Sequence, residues 1–164
     1  MLQLSLDTSF LISFADPTRP NHEVAVEYFR HCVAERIPMW ISTVAAGEFA
    51  VKQSFDDLPL QNFRIQPYNL SHALRAAKLF RELKDDSSAS HDRRRIIIND
   101  LKIIAQAAEE KIPFILTEDE NTLVRLADSL VKKGASAVGT YLLKDGFELT
   151  RSENLAQSDL ELPD

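Results

Sequence analysis

Apolar runs and helical stripes alternate along the chain from its first residues to about residue 143. Short runs with the composition of buried strands fall at residues 2–6, 38–41, 63–66, 113–116 and 137–143. Between them, apolar positions recur at helical spacing over residues 10–14, 21–35, 43–53, 71–83, 99–111 and 118–133. Alternation of this kind predicts βα units and a mostly parallel central sheet, and so an α/β fold built as a three-layer α/β/α sandwich. The run Ile112-Pro-Phe-Ile-Leu116 is apolar on both faces, as a central parallel strand covered by helices on each side should be. The last helix is expected to stop at Gly134, after Lys132 and Lys133, and to open with Thr117 and Glu120 as a capping box. Residues 85–92, Asp-Asp-Ser-Ser-Ala-Ser-His-Asp, carry no periodicity and predict a loop.

Length and composition narrow this picture. At 164 residues and 45% apolar content the chain fits one domain with one core, predicted over residues 1–151, followed by an acidic and flexible tail over 152–164. No stretch approaches the roughly 20 apolar residues of a membrane span, and the start lacks the form of a signal peptide, so the expected setting is cytoplasmic. The lone cysteine, Cys32, lies in the amphipathic stretch around Val26, Tyr28 and Phe29 and reads as packing. Neither a repeat nor a glycine-rich phosphate loop is present, the four glycines being isolated.

The net charge of −6 counts at first against a nucleic-acid partner. Its distribution weakens that objection. Residues 152–164 hold four acids and no Lys or Arg, leaving 19 basic against 21 acidic groups before them. Setting aside four special acids makes the body slightly basic.

Those four are Asp7, Glu48, Asp100 and Asp119, each embedded in apolar sequence near a predicted strand end or on a helix. Asp7 ends the first strand and Asp119 lies just beyond the fourth, where open parallel sheets bind ligands. Glu48 shares a helical face with Val44, Ala45 and Val51, a face expected to point inward. Asp100 begins a helix whose stripe continues through Ile103, Ile104, Ala107 and Ala108. Four acids from distant parts of the chain are thus expected to meet at one end of the sheet. Carboxylates on apolar faces need compensating positive charge, and a divalent ion supplies it. Mg²⁺ or Mn²⁺ takes hard oxygen ligands and can activate water against a phosphodiester, with one ion or two. Zinc would want Cys and His at short spacings, which His22, His31, His72 and His91 do not offer. Plainer readings exist for some of the four: Asp100 as a helix cap and Asp119 as a first-turn dipole partner. Glu48, in mid-helix, has no such role.

Four segments then resemble a known family. Leu6-Asp-Thr-Ser-Phe-Leu-Ile12, Ser42-Thr-Val-Ala-Ala-Gly-Glu-Phe49, Asn99-Asp-Leu-Lys-Ile-Ile-Ala-Gln-Ala107 and Leu116-Thr-Glu-Asp119 are similar, in order and spacing, to the four acidic motifs of PIN-domain nucleases. The short layout resembles the VapC-type toxins of toxin–antitoxin pairs, which are Mg²⁺- or Mn²⁺-dependent endoribonucleases. The resemblance implies that Asp7, Glu48 and Asp100 are metal ligands with Asp119 as the fourth acid. It places Thr8 beside the first acid and gives Thr117 the task of orienting carboxylates. It also implies an RNA substrate, 5′-phosphate and 3′-hydroxyl products, a homodimer and a small antitoxin partner. The fourth motif departs from the family pattern, since Glu118 and Glu120 flank Asp119 and are alternatives to it.

Arg93, Arg94 and Arg95, ahead of the Asp100 helix, are the candidates for RNA phosphate contacts, with Lys102 on the same surface. The alternative reading is a PIN-like module without turnover, serving as an RNA-binding or assembly subunit.

Overall fold

The computed structural model describes residues 1–83 and 91–149, with the side chains of 91–96 excepted. Five strands form one sheet in which every pairing is parallel: β1 (Leu4–Leu6), β2 (Met39–Ser42), β3 (Arg64–Gln66), β4 (Phe114–Thr117) and β5 (Gly139–Leu142), in spatial order β3-β2-β1-β4-β5. β1 is central, with Leu6 opposite Ile41 on one side and Leu116 on the other. The chain builds outward from β1 to β3, then crosses back to lay β4 on the other flank of β1. That reversal makes the crevice between β1 and β4 the switch point of the sheet.

Among the described residues six helices cover it: α1 (Thr8–Ala15), α2 (His22–Ala34), α3 (Thr43–Lys52), α4 (Leu70–Glu82), α5 (His91–Glu109) and α6 (Arg125–Lys132). α1 packs on α2 and α3, and α5 packs on α4 and α6, which gives the three-layer α/β/α arrangement. Leu4, Leu6, Ile41, Ile115 and Leu116 of the strands meet Phe10, Phe49, Ile103 and Ile104 of the helices in the buried core. Cys32 lies in the same core, where burial pushes its thiol up to about 12.

Two local features differ from expectation. α5 begins at His91, so His91 and Asp92 belong to a helix and the arginines at 93–95 lie within its first turns. Contiguous Ile96-Ile97-Ile98 carries no helical spacing, which is why the pattern starts late. Residues 85–90, Arg93–Arg95 as side chains, and the acidic tail lie outside the described residues. The second difference is at α6. A π-helical turn over Glu120–Val124 precedes it, and the residue that caps this turn is Asp119, whose Oδ1 accepts from Thr122 N at 2.9 Å. The Thr117/Glu120 capping box is therefore not formed. At the other end Gly134 has φ 67°, with Gly134 N on Val131 O and Ala135 N on Leu130 O, the expected stop.

Candidate active site

Asp7 follows β1 directly and caps α1, so one residue both ends the strand and starts the helix. Its backbone N–H donates to Leu116 O at 3.0 Å, carrying the β1–β4 ladder one step further. That fixes its carboxylate at the switch point, only 4% exposed. Oδ2 accepts from Ser9 Oγ at 2.7 Å and from Thr117 Oγ1 at 2.9 Å, and more distantly from Ser9 N. Burial raises the Asp7 carboxyl above the ordinary aspartate range, and these donors oppose it.

The two hydroxyls do more than support Asp7. Ser9 Oγ accepts from Glu118 N at 2.8 Å, and Thr117 Oγ1 accepts from Asp119 N at 3.0 Å. Each hydroxyl thus gives its proton to Asp7 and takes an N–H from the loop that carries Asp119. Thr117 is fully buried, with its hydroxyl between the Asp7 carboxylate and Asp119 N. Ser9 was not among the expected residues. Its signal lay in the sequence as a hydroxyl two positions after a strand-end Asp, a spacing that favours contact with the Asp side chain.

Glu48 stands on α3, whose buried residues are Ala45 and Phe49. Val51 is 85% exposed, so the inward face is narrower than the apolar pattern predicts and Glu48 sits at its edge. Thr8 Oγ1 donates to Glu48 Oε2 at 3.1 Å, joining the first acidic segment to the second. The other oxygen, Oε1, is buried without a hydrogen-bond partner. Burial raises the Glu48 carboxyl and the Asp7 charge adds to the rise, against the Thr8 hydrogen bond, the nearby Asn99 side chain and the Lys52 charge.

Asp100, on α5 and 8% exposed, ties the group together. Burial pushes its carboxyl up to about 8, and the charges of Asp7, Asp119 and Glu48 push in the same direction. Its Oδ2 is buried and unpartnered. Three acids from β1, α3 and the loop after β4 therefore bear on the fourth.

The flanking acids of the last motif are used otherwise. Glu118 accepts from Ser13 Oγ at 2.8 Å, Asn21 Nδ2 at 2.7 Å and Arg19 Nη2 at 3.2 Å. Burial raises its carboxyl, but these donors outweigh it and hold the group below the ordinary glutamate range. Glu120 is exposed and paired with Lys144. Of the three acids, Asp119 alone presses on Asp100.

A family model for the PIN domain matches residues 4–129, which takes in all four acids. The chain belongs to the PIN domain family. No curated protein sequence matches it. Among solved structures, this PIN domain is similar to VapBC2 from Rickettsia felis bound to a promoter DNA fragment, at 15% identity and TM-score 0.57, covering 85% of this chain and 99% of that one. It is similar to DNA-bound VapBC from Salmonella typhimurium at 15% identity and TM-score 0.55, covering 87% and 99%. The VapC20 toxin of Mycobacterium tuberculosis matches at 14% identity and TM-score 0.50, covering 73% and 92%.

The four carboxylates of this PIN domain supply only hard oxygen donors, the set that suits Mg²⁺ or Mn²⁺. Two of those oxygens, Glu48 Oε1 and Asp100 Oδ2, are buried with nothing to bond. Among the described residues, however, no three His, Cys, Asp or Glu side chains stand in a metal-binding arrangement. Like charges without a cation between them stay apart, and two of these carboxylates are drawn aside by hydroxyl donors. The residues fit an ion by the chemistry of the donor set and by the orphaned oxygens. No helix among the described residues is long and apolar enough to cross a membrane.

Proposed function

We propose that this PIN domain is a divalent-metal-dependent endoribonuclease acting as the toxin of a type II toxin–antitoxin pair. The observation that carries the reading is Asp100: a buried carboxyl with an unpartnered oxygen, raised to about 8 by burial and by three neighbouring acids. A protein gains nothing in stability by crowding acids in this way, so the cluster is accounted for by the cation it would hold. Asp7, Glu48, Asp100 and Asp119 would hold Mg²⁺ or Mn²⁺. Such an ion supplies Lewis-acid polarisation of a phosphodiester and a water of lowered pKa.

The chain's own residues have separate tasks. Ser9 and Thr117 fix the Asp7 carboxylate and, through their second bonds, the loop bearing Asp119. Thr8 fixes Glu48. Asp100 retains a proton near neutral pH until a cation replaces it. The described VapC20 cleaves the sarcin–ricin loop, which favours RNA as substrate, and the two VapBC complexes favour an antitoxin partner. We extend the same reading to a homodimer.

The test is Mn²⁺- or Mg²⁺-dependent cleavage of structured and single-stranded RNA by wild type, Asp7→Asn and Asp100→Asn. Cleavage by wild type alone is expected; equal cleavage by all three overturns the reading. One observation favours the inert RNA-binding alternative, namely that among the described residues no three acids are arranged to bind an ion. Failure of the free protein to bind Mn²⁺ would establish that alternative.

A further inference from the structure

The turn between α1 and α2 is built more firmly than a simple connection needs. Asp16 Oδ1 accepts from Thr18 N at 2.9 Å and Thr18 Oγ1 at 2.7 Å, while Arg19 N donates to Asp16 O and His22 N to Arg19 O. The turn is then fastened to the loop after β4 by one acid. Glu118 takes Asn21 Nδ2 on Oε1, and Ser13 Oγ and Arg19 Nη2 on Oε2. His22 Nδ1 adds a bond to Ser13 O at 3.0 Å. Glu118 is the immediate chain neighbour of Asp119, so this clamp ties the turn that carries Arg19 to the loop that carries Asp119.

Arg19 is not consumed by the contact. Its side chain is 42% exposed, and only one of its nitrogens bonds Glu118. A guanidinium carries five N–H donors in a planar fork suited to phosphate oxygens. A pocket of four carboxylates repels a polyanion, so substrate approach needs a fixed cation at its edge. Arg19 is held on an ordered turn fastened to the Asp119 loop, whereas Lys144 and Glu120 form an exposed surface pair.

We propose that Arg19 contacts a backbone phosphate of the RNA, and that Glu118 is its positioning residue. This deepens the ribonuclease reading and rests on it for the substrate class. Glu118 here serves both to hold the Asp119 loop and to aim the cation next to it.

The test is equilibrium binding of a fluorescent single-stranded RNA oligonucleotide to the full chain, without divalent metal, across a salt series. Arg19→Ala and Arg19→Gln are each expected to weaken binding roughly tenfold and to reduce the slope of log K against log salt by about 0.7. Arg19→Lys should recover the slope and only part of the affinity. Glu118→Gln separates aiming from charge. Removal of one negative charge alone would tighten RNA binding, whereas loss of the clamp weakens it with the slope retained. An unchanged slope in Arg19→Gln overturns the phosphate contact, and tighter binding by Glu118→Gln overturns the positioning role. Wild-type cleavage with Mn²⁺ is read alongside. Cleavage with an unchanged Arg19→Gln slope leaves the nuclease and removes Arg19; an altered slope without any cleavage does the reverse.

Discussion

Glu118 and Asp100 are both shielded acids near the carboxyl end of the sheet, yet their surroundings push their carboxyl groups in opposite directions. Glu118 is surrounded by three donors and lies below the ordinary glutamate range. Asp100 meets three other acids, keeps an unpartnered oxygen and rises to about 8. The first region has solved its charge problem with its own residues and so behaves as structure. The second leaves it unsolved, and on the proposed reading a cation from outside completes it. Burial alone does not separate structural from functional carboxylates; the partner set does.

The strongest way to break this contrast is Asp100→Asn. Cleavage should fall by at least about a hundredfold, since loss of a ligand should cost no less than loss of a residue that supports one. Metal-free stability should rise at the same time, by on the order of 1–4 kcal/mol at neutral pH, because the amide carries no proton that the fold must retain. Thermal melting in chelator reads the second effect. A fall in melting temperature would mean that Asp100 is a structural acid like Glu118.

Next comes Thr117→Val, which strips a donor from Asp7 and an acceptor from Asp119 N. We expect about a ten- to hundredfold loss in metal affinity, measured by Mn²⁺ titration, with a stability loss of about 1–3 kcal/mol. Ser9→Ala should go in the same direction and less far, because Ser9 is less enclosed than Thr117.

The pH dependence of stability sharpens the contrast further, and the two acids have opposite signs. For Asp100 the folded carboxyl is raised, so the unfolded chain loses its proton first. Stability of the metal-free protein should fall as pH rises from the ordinary aspartate range towards about 8. For Glu118 the folded carboxyl is lowered, so its contribution is present above the ordinary glutamate range and is lost on acidification through it. Denaturant midpoints across pH should lose the Asp100 part of the alkaline decline in Asp100→Asn, with the raised Asp7 and Glu48 carboxyls still contributing, and the matching part of the acid decline in Glu118→Gln. The smallest effect belongs to Val51→Ala. At 85% exposure this side chain should change stability by less than about 0.5 kcal/mol.

Much of this was legible along the chain. All five strands fall on the predicted segments; the central β1 and β4 are apolar because strands covered by helices need apolar side chains on both faces, whereas β3, Arg64-Ile65-Gln66, is a largely exposed edge strand. Asp7 was legible because a charge at the end of such a run stands out. What the sequence did not disclose depends on contacts across the fold. Val51 continues the stripe of α3, but nothing packs over it. Thr117 and Glu120 have the spacing of a capping box, yet the Thr117 hydroxyl is committed to Asp7, so the cap passes to Asp119. The choice among Glu118, Asp119 and Glu120 needed their partners from α1, the α1–α2 turn and Lys144. The Ser9–Asp7 contact was legible from its spacing, but the bond from Glu118 N to Ser9 Oγ joins residues 109 positions apart and was not.

The central claim is that the four acids wait for a divalent ion, and calorimetric titration of Mn²⁺ into the full chain near pH 7, in two buffers of different ionisation enthalpy, tests it most directly. Wild type should bind Mn²⁺ with release of protons that include the one held by Asp100, while Asp100→Asn should bind far more weakly and release fewer. Binding that is absent in wild type, or equal in the two proteins, would contradict the account.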